Sequence, residues 1–261
     1  MGGGSAIGLA KAIALRTDLP QIAIPTTYAG SEMTPVVGET LDGKKTVQRS
    51  MKVLPEAVIY DVDLTLSLPV GTSVTSGFNA IAHAVEALYS KTGHPLLWAA
   101  AEECVRALGH ALPRIARQPD DEAARELALR GAWLGGWSLA NGGSALHHRL
   151  CHVLGGAFGL PHAETHTVVL PHVLAYNAGS VPRAIERLAR ALMVENPGED
   201  LFDLAQSLGA PSALKALGMP EAGIDQAVQT LMADPPWNPR ELEAKPLRAL
   251  LQRAWSGARP R

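Results

Sequence analysis

Residues 147–166 hold five histidines, His147, His148, His152, His162 and His166, beside Gly155-Gly156 and Leu160-Pro161. Imidazole titrates near neutral pH, ligates metals and shuttles protons, so a cluster of it marks a place where protons or Lewis acids matter. A second piece lies upstream. Asn79 and His83 are four residues apart and share a helix face, with Glu86 three further on. His148 and His152 have the same spacing. His162 follows the Gly-Gly and Leu-Pro break and can return to that locale from a neighbouring segment. Three histidines from three segments could bind a metal or form a proton-transfer cluster. For any one of them alone, a helix surface or a satisfied core histidine is the ordinary expectation. That expectation is kept for His147, His166 and His172, as solvation, capping or packing. Nothing marks Cys151 as a nucleophile, and it reads as packing.

Two glycine-bearing stretches suit an anion. Gly2-Gly3-Gly4-Ser5 opens an Ala/Leu/Lys run, so it reads as a loop entering a helix over 6–15. Glycine lets backbone N–H groups approach a phosphate, and the helix N-terminus favours negative charge. An ordinary glycine-rich turn reads equally well. Pro25-Thr26-Thr27 and Gly30-Ser31-Glu32 put small hydroxyl residues after a strand, where ligands of open α/β sheets sit. Taken alone, this is a turn with local hydrogen bonds.

The elements that must position these residues divide at Leu68-Pro69. Gln21–Ile24 and Ala57–Tyr60 read as short strands, with Asp42-Gly43 a hairpin turn between them. Residues 1–69 therefore read as a partial α/β segment. From residue 70 to 261 the pattern is helical, with no convincing strand. Helices are predicted from Ser73 or Thr75 to Leu88, then over 95–115, 121–140, 145–158, 171–177, 181–192, 201–208 and 224–232. A last one follows Asn238-Pro239-Arg240. Glu102-Glu103, Asp120-Asp121 and the scattered arginines read as solvated helix faces.

The 261 residues are 47% hydrophobic and 18% charged, so the core can be large and disorder slight. A net charge of −2 with no basic block argues against a nucleic-acid partner. No apolar run has the length to span a bilayer, and no basic-then-apolar signal is visible. Cys104 and Cys151 form no CxxC pair and read as thiols of a reducing compartment. The expected setting is the cytoplasm.

Taken in order, these motifs resemble the iron-containing alcohol dehydrogenase superfamily, and most closely its maleylacetate reductase branch. The carriers are Gly2–Ser5 with Gly8 and Lys11, Pro25–Glu32, Ser76–Glu86 and the whole histidine stretch. The resemblance implies a dehydroquinate synthase-like fold: a nucleotide-binding α/β domain, then an all-helical domain, with the active site between them. It implies NADH or NADPH bound at Gly3, Gly4, Ser5, Thr26, Thr27 and Lys45. The metal-binding Asp and three His of the metal-dependent relatives correspond to Asn79, His83, His148 and His162. His152 corresponds to a histidine near the nicotinamide. Asn79 departs from the pattern, because a neutral amide is a weaker ligand than a carboxylate, so no metal is expected. The implied reaction is reduction of maleylacetate to 3-oxoadipate in aromatic compound degradation, with Asn79, His83, His148, His152 and His162 at the substrate. The alternatives are a metal-dependent alcohol dehydrogenase of the same superfamily and an inactive fragment. The family also suggests a homodimer. The chain begins where the family's glycine loop begins, so a preceding strand-rich segment is expected to be missing.

Overall fold

The computed structural model describes residues 1–41 and 44–261, with backbone only at residues 40, 41, 44 and 45. Helix α1 (Gly4–Thr17) leads into β1 (Ile22–Ala23). Strands β2 (Val36–Leu41) and β3 (Lys44–Arg49) form an antiparallel pair, with Val36 opposite Arg49. The predicted Asp42-Gly43 turn itself lies outside the described residues. Strand β4 (Ala57–Val58) pairs in parallel with β1, Ile22 opposite Ala57. A parallel bridge between Gly2 and Pro25 continues this small sheet. Both strands are shorter than their apolar runs suggest.

No strand follows Val58 among the described residues. Helix α2 (Val70–Leu88) is buried on every side from Ser73 to Leu88. Its sequence explains this, since small and apolar residues ring it almost completely. Around it pack α3 (Pro95–Arg117), α4 (Glu122–Gly142) and α6 (His162–Asn177). Helix α5 (Leu146–Phe158) lies on α6, as do α8 (Pro197–Ser207) and α10 (Ala244–Ser256). Helices α7 (Pro182–Leu192) and α9 (Gly223–Ala233) complete the shell, against α3 and α5 respectively. Two apolar clusters result. One is centred on Phe78, Ile81, Leu108 and Leu112, the other on Leu150, Leu154, Val169 and Leu251. Among the described residues no helix is long and apolar enough to cross a membrane.

One predicted boundary needs correction. Proline favours helix starts, which placed a helix over 171–177. The helix instead begins at His162, and Pro171 lies inside it. Proline costs a helix one backbone bond, and burial of nearly the whole of α6 from Thr165 to Asn177 outweighs that cost.

The α/β segment is fastened to the helices by backbone proximity and by one buried cation. Gly30 has φ +76°, and a Cβ on Gly136 of α4 would stand 2.1 Å from the Gly30 carbonyl oxygen. No side chain fits between the two backbones there. Lys11 is fully buried and donates to the carbonyls of Ser31, Thr34 at 2.7 Å and Val36 at 3.0 Å, and to Thr34 Oγ1 at 2.9 Å. Burial pushes its pKa down to about 8, against the opposing pull of Glu32.

Arg125 contradicts the reading of the arginines as solvated. It is fully buried and faces neutral acceptors: Pro119 O at 2.8 Å, Leu68 O at 3.0 Å, Ser73 Oγ at 3.1 Å and Tyr28 Oη at 3.2 Å. Sequence patterning cannot reveal this, because the acceptors come from four separate segments. Arg125→Met is expected to destabilise the protein by about 3 kcal/mol, since several buried acceptors lose their donor. Urea unfolding measures it, and a loss below about 1 kcal/mol, within the ordinary range for one net hydrogen bond, would show that water replaces the guanidinium.

Candidate active site

Helix α2 presents Asn79, His83 and Glu86 on one stripe, and α5 presents His147, His148 and His152. Helix α6 adds His162 and His166. The rings form a continuous contact network. His83 stacks on His148 at 5.0 Å between centroids, and His148 meets His147 at 5.2 Å and His166 at 4.9 Å. His166 meets His162 at 4.3 Å, and His162 stacks on His152 at 6.3 Å. The four histidines expected at the substrate are thus joined in one cluster. Asn79, His83 and His148 are buried, His152 is half-buried and His162 is exposed. The cluster therefore has a buried floor and an exposed rim.

Glu86 organises the floor. It is almost fully buried, and its Oε1 accepts from the His147 backbone N–H at 2.7 Å. Its Oε2 accepts from the Ala145 N–H at 2.8 Å and from His148 Nδ1 at 2.6 Å. Helix α5 has no side-chain cap of its own at Ala145. Its first N–H groups would be orphaned in the interior, and a carboxylate at a helix N-terminus meets both the missing bonds and the dipole. Because Nδ1 of His148 is committed to Glu86, its tautomer and orientation are set and Nε2 faces the cluster. His148 Nε2, His83 Nδ1 and Asn79 Oδ1 are buried with no hydrogen-bond partner among the described residues. Three polar atoms of the floor are left available to a bound molecule.

Glu86 is the site residue that sequence reasoning missed. The 79, 83, 86 stripe carried the signal, but its partners on α5 lie about sixty residues away. His147 and His166 are buried, as packing requires. Their rings also share a 2.9 Å hydrogen bond, Nε2 to Nδ1, and both touch His148. His172 stays out of the cluster and packs edge-on against Phe202. Cys151 is buried, its Sγ 3.8 Å from His147 Nε2. Burial, and then the neighbouring imidazoles, hold His83, His147 and His166 well below the usual histidine range. These three rings are neutral at physiological pH.

The phosphate-type loops converge as well. The Gly2 N–H donates to Ile24 O at 3.0 Å, and the Thr26 N–H to Gly2 O at 3.1 Å. A Cβ on Gly3 would stand 2.9 Å from Thr27 Cγ2, so Gly3 and Thr27 are in contact. Gly3 caps α1 with no side-chain bond, and no acid occupies the first turn. Gly4 and Ser5, in the first turn of α1, are exposed. The side chain of Lys45 lies outside the described residues. Tyr28 N–H donates to Ser76 Oγ at 3.3 Å, which docks the Thr26-Thr27 loop onto α2 one turn before Asn79.

Comparison with known families agrees with this geometry. Residues 73–255 match the model of the Fe-containing alcohol dehydrogenase family, C-terminal, and residues 1–62 match that of iron-containing alcohol dehydrogenase. The chain belongs to the iron-containing alcohol dehydrogenase family and is an oxidoreductase. Within the family its similarity is to maleylacetate reductases. That of Sphingobium indicum is 54% identical over 260 residues, which are 100% of this chain and 74% of the relative. The solved maleylacetate reductase of Rhizobium sp. strain MTP-10005 superposes with a TM-score of 0.95 at 54% identity, covering 99% of this chain and 74% of that one. That of Agrobacterium tumefaciens gives the same TM-score of 0.95 at 54% identity, with the same coverage.

Proposed function

We propose that this chain reduces maleylacetate to 3-oxoadipate with a pyridine nucleotide and without a metal ion. What carries the reading is the buried imidazole floor, with His148 Nε2, His83 Nδ1 and Asn79 Oδ1 unpartnered among the described residues, in a family of oxidoreductases. The nucleotide would supply a hydride when bound, and Gly3, Gly4 and Ser5, with Thr26 and Thr27 beside them, would hold its phosphates. The substrate is a small dicarboxylate whose C=C is conjugated to a ketone. Hydride addition β to the ketone moves the C=C electron pair onto the ketone oxygen as an enolate. N–H donors aimed at that oxygen stabilise the developing charge as an oxyanion hole does. His148, whose Nδ1–H is given to Glu86, presents Nε2 to the site as an acceptor, a position from which it can take up or pass on a proton. His83, held neutral by burial, supplies one N–H donor, and the side-chain NH2 of Asn79 a second. His152 is the candidate to return a proton to the α carbon, the former alkene carbon bonded to the ketone. One hydride and one proton then complete the product, and the carbonyl reforms.

The family's metal-dependent members raise the question of iron. The donors here would be Asn79, His83, His148 and His162. They bring no negative charge, and the nearest carboxylate, Glu86, is spent on the α5 amides and on His148 Nδ1. Such a set does not fit a firmly held divalent ion, so no step is routed through one.

The direct test is maleylacetate-dependent oxidation of NADH and of NADPH by the purified chain, with metal content measured on the same sample. Turnover unaffected by chelator is expected. Stoichiometric iron or zinc with chelator-sensitive turnover would instead favour a metal-dependent alcohol dehydrogenase. His152→Ala is expected to lower kcat by about a hundredfold, the low end for loss of one transition-state group. Unchanged turnover would remove His152 from the reaction.

A further inference from the structure

We propose that His147, Cys151 and His166 form a binding site for a thiophilic divalent cation such as Zn²⁺, separate from the Asn79, His83, His148 and His162 set. His147 and Cys151 are four apart on α5, and His166 faces them from α6. One ring nitrogen from each histidine and the Cys151 Sγ all lie within 4.8 Å of one another. The two measured edges are 2.9 Å from His147 Nε2 to His166 Nδ1 and 3.8 Å from His147 Nε2 to Sγ.

Zinc binds nitrogen at about 2.1 Å and sulfur at about 2.3 Å, so tetrahedral geometry sets N···N near ~3.4 Å and N···S near ~3.6 Å. The His147-to-sulfur edge, at 3.8 Å, is close to that length. The nitrogen edge must open by roughly half an ångström. The outer nitrogens, His147 Nδ1 and His166 Nε2, have no hydrogen-bond partner among the described residues, so neither ring is tethered at its far side by a hydrogen bond there.

Charge separates this set from its neighbour. A thiol that ligates a cation releases its proton to solvent and becomes thiolate, supplying the anion that three imidazoles and an amide lack. Soft thiolate with imidazole selects zinc-like ions over hard oxygen-seeking ones. Three protein ligands leave a fourth position open, the pattern of sites that accept a further ligand. His162, which is exposed, is in ring contact with His166. The proposal goes beyond the reductase reading and does not depend on it.

Cobalt(II) titration of the chelator-treated, reduced protein tests the site without an activity assay. One ion per chain is expected, with tetrahedral d–d bands and a thiolate-to-cobalt charge-transfer band in the near ultraviolet. Zn²⁺ should displace it. Cys151→Ser should abolish the charge-transfer band and weaken binding about a hundredfold. Cys104→Ala, at the other buried thiol, should leave the band intact. Cobalt bound without a sulfur band would place the ion on the Asn79 set and overturn the proposal. So would a band that survives Cys151→Ser, or no binding by the unmodified chain.

Discussion

Glu86→Ala is expected to lower stability by about 3–5 kcal/mol, because three buried N–H donors lose their acceptor at about 1–3 kcal/mol each. Turnover should fall by roughly a thousandfold, because the substrate-facing imidazole of His148 loses its support as well. The two losses share one cause. Without the carboxylate, the N–H groups of Ala145 and His147 are buried unpaired, so the start of α5 must shift or take in water. His148 also loses the acceptor that fixes its Nδ1 at 2.6 Å, and its Nε2 no longer has a set direction. Glu86→Gln separates the effects. Its one carbonyl oxygen can still cap part of α5, so stability should recover more than kcat does. Urea midpoints, with kcat and KM taken where each variant is fully folded, decide the matter. Turnover of Glu86→Ala within threefold of the parent would show that His148 is oriented by packing alone.

Acid should unfold this protein well before its carboxylates titrate. His83, His147 and His166 are held well below the ordinary value of 6.5, and burial lowers His172 to about 4. In the unfolded chain all four take up protons as pH falls through about 6.5, while the folded protein keeps them neutral. The unfolded state then binds more protons, so stability is complete above pH 6.5 and is lost as pH falls toward the folded values. Four such groups remove about 5 kcal/mol between pH 7.5 and 5.5, a large part of a typical domain's total. Glu32, whose carboxyl burial pushes upward, acts in the opposite direction, but it is one group against four. Urea midpoints across this range should fall steeply. A flat profile would mean that the imidazoles are hydrated and already share protons with solvent.

Much of the arrangement was legible in the chain itself. The i, i+4 spacings of Asn79 with His83 and of His148 with His152 put each pair on one face, because helix geometry is local. The strand-poor region after residue 70 followed from its Ala- and Leu-rich periodicity, and the Gly2–Ser5 opening of α1 from glycine and helix-start chemistry. The ordered series of motifs carried the family.

Tertiary structure alone decided which of these residues do more than pack. His147 and His166 have the same sequence signature as His172, yet two join the cluster and one lies against Phe202. Glu86 looked like any helix-surface acid until α5 placed its uncapped amides against it. Arg125 looked solvated until Tyr28, Ser73, Leu68 and Pro119 closed around it. The physical reason is common to all three. Helical spacing fixes which residues of one segment point together. The burial and partners of a polar group depend on contacts between segments far apart in the chain, and those contacts set its charge and its chemistry.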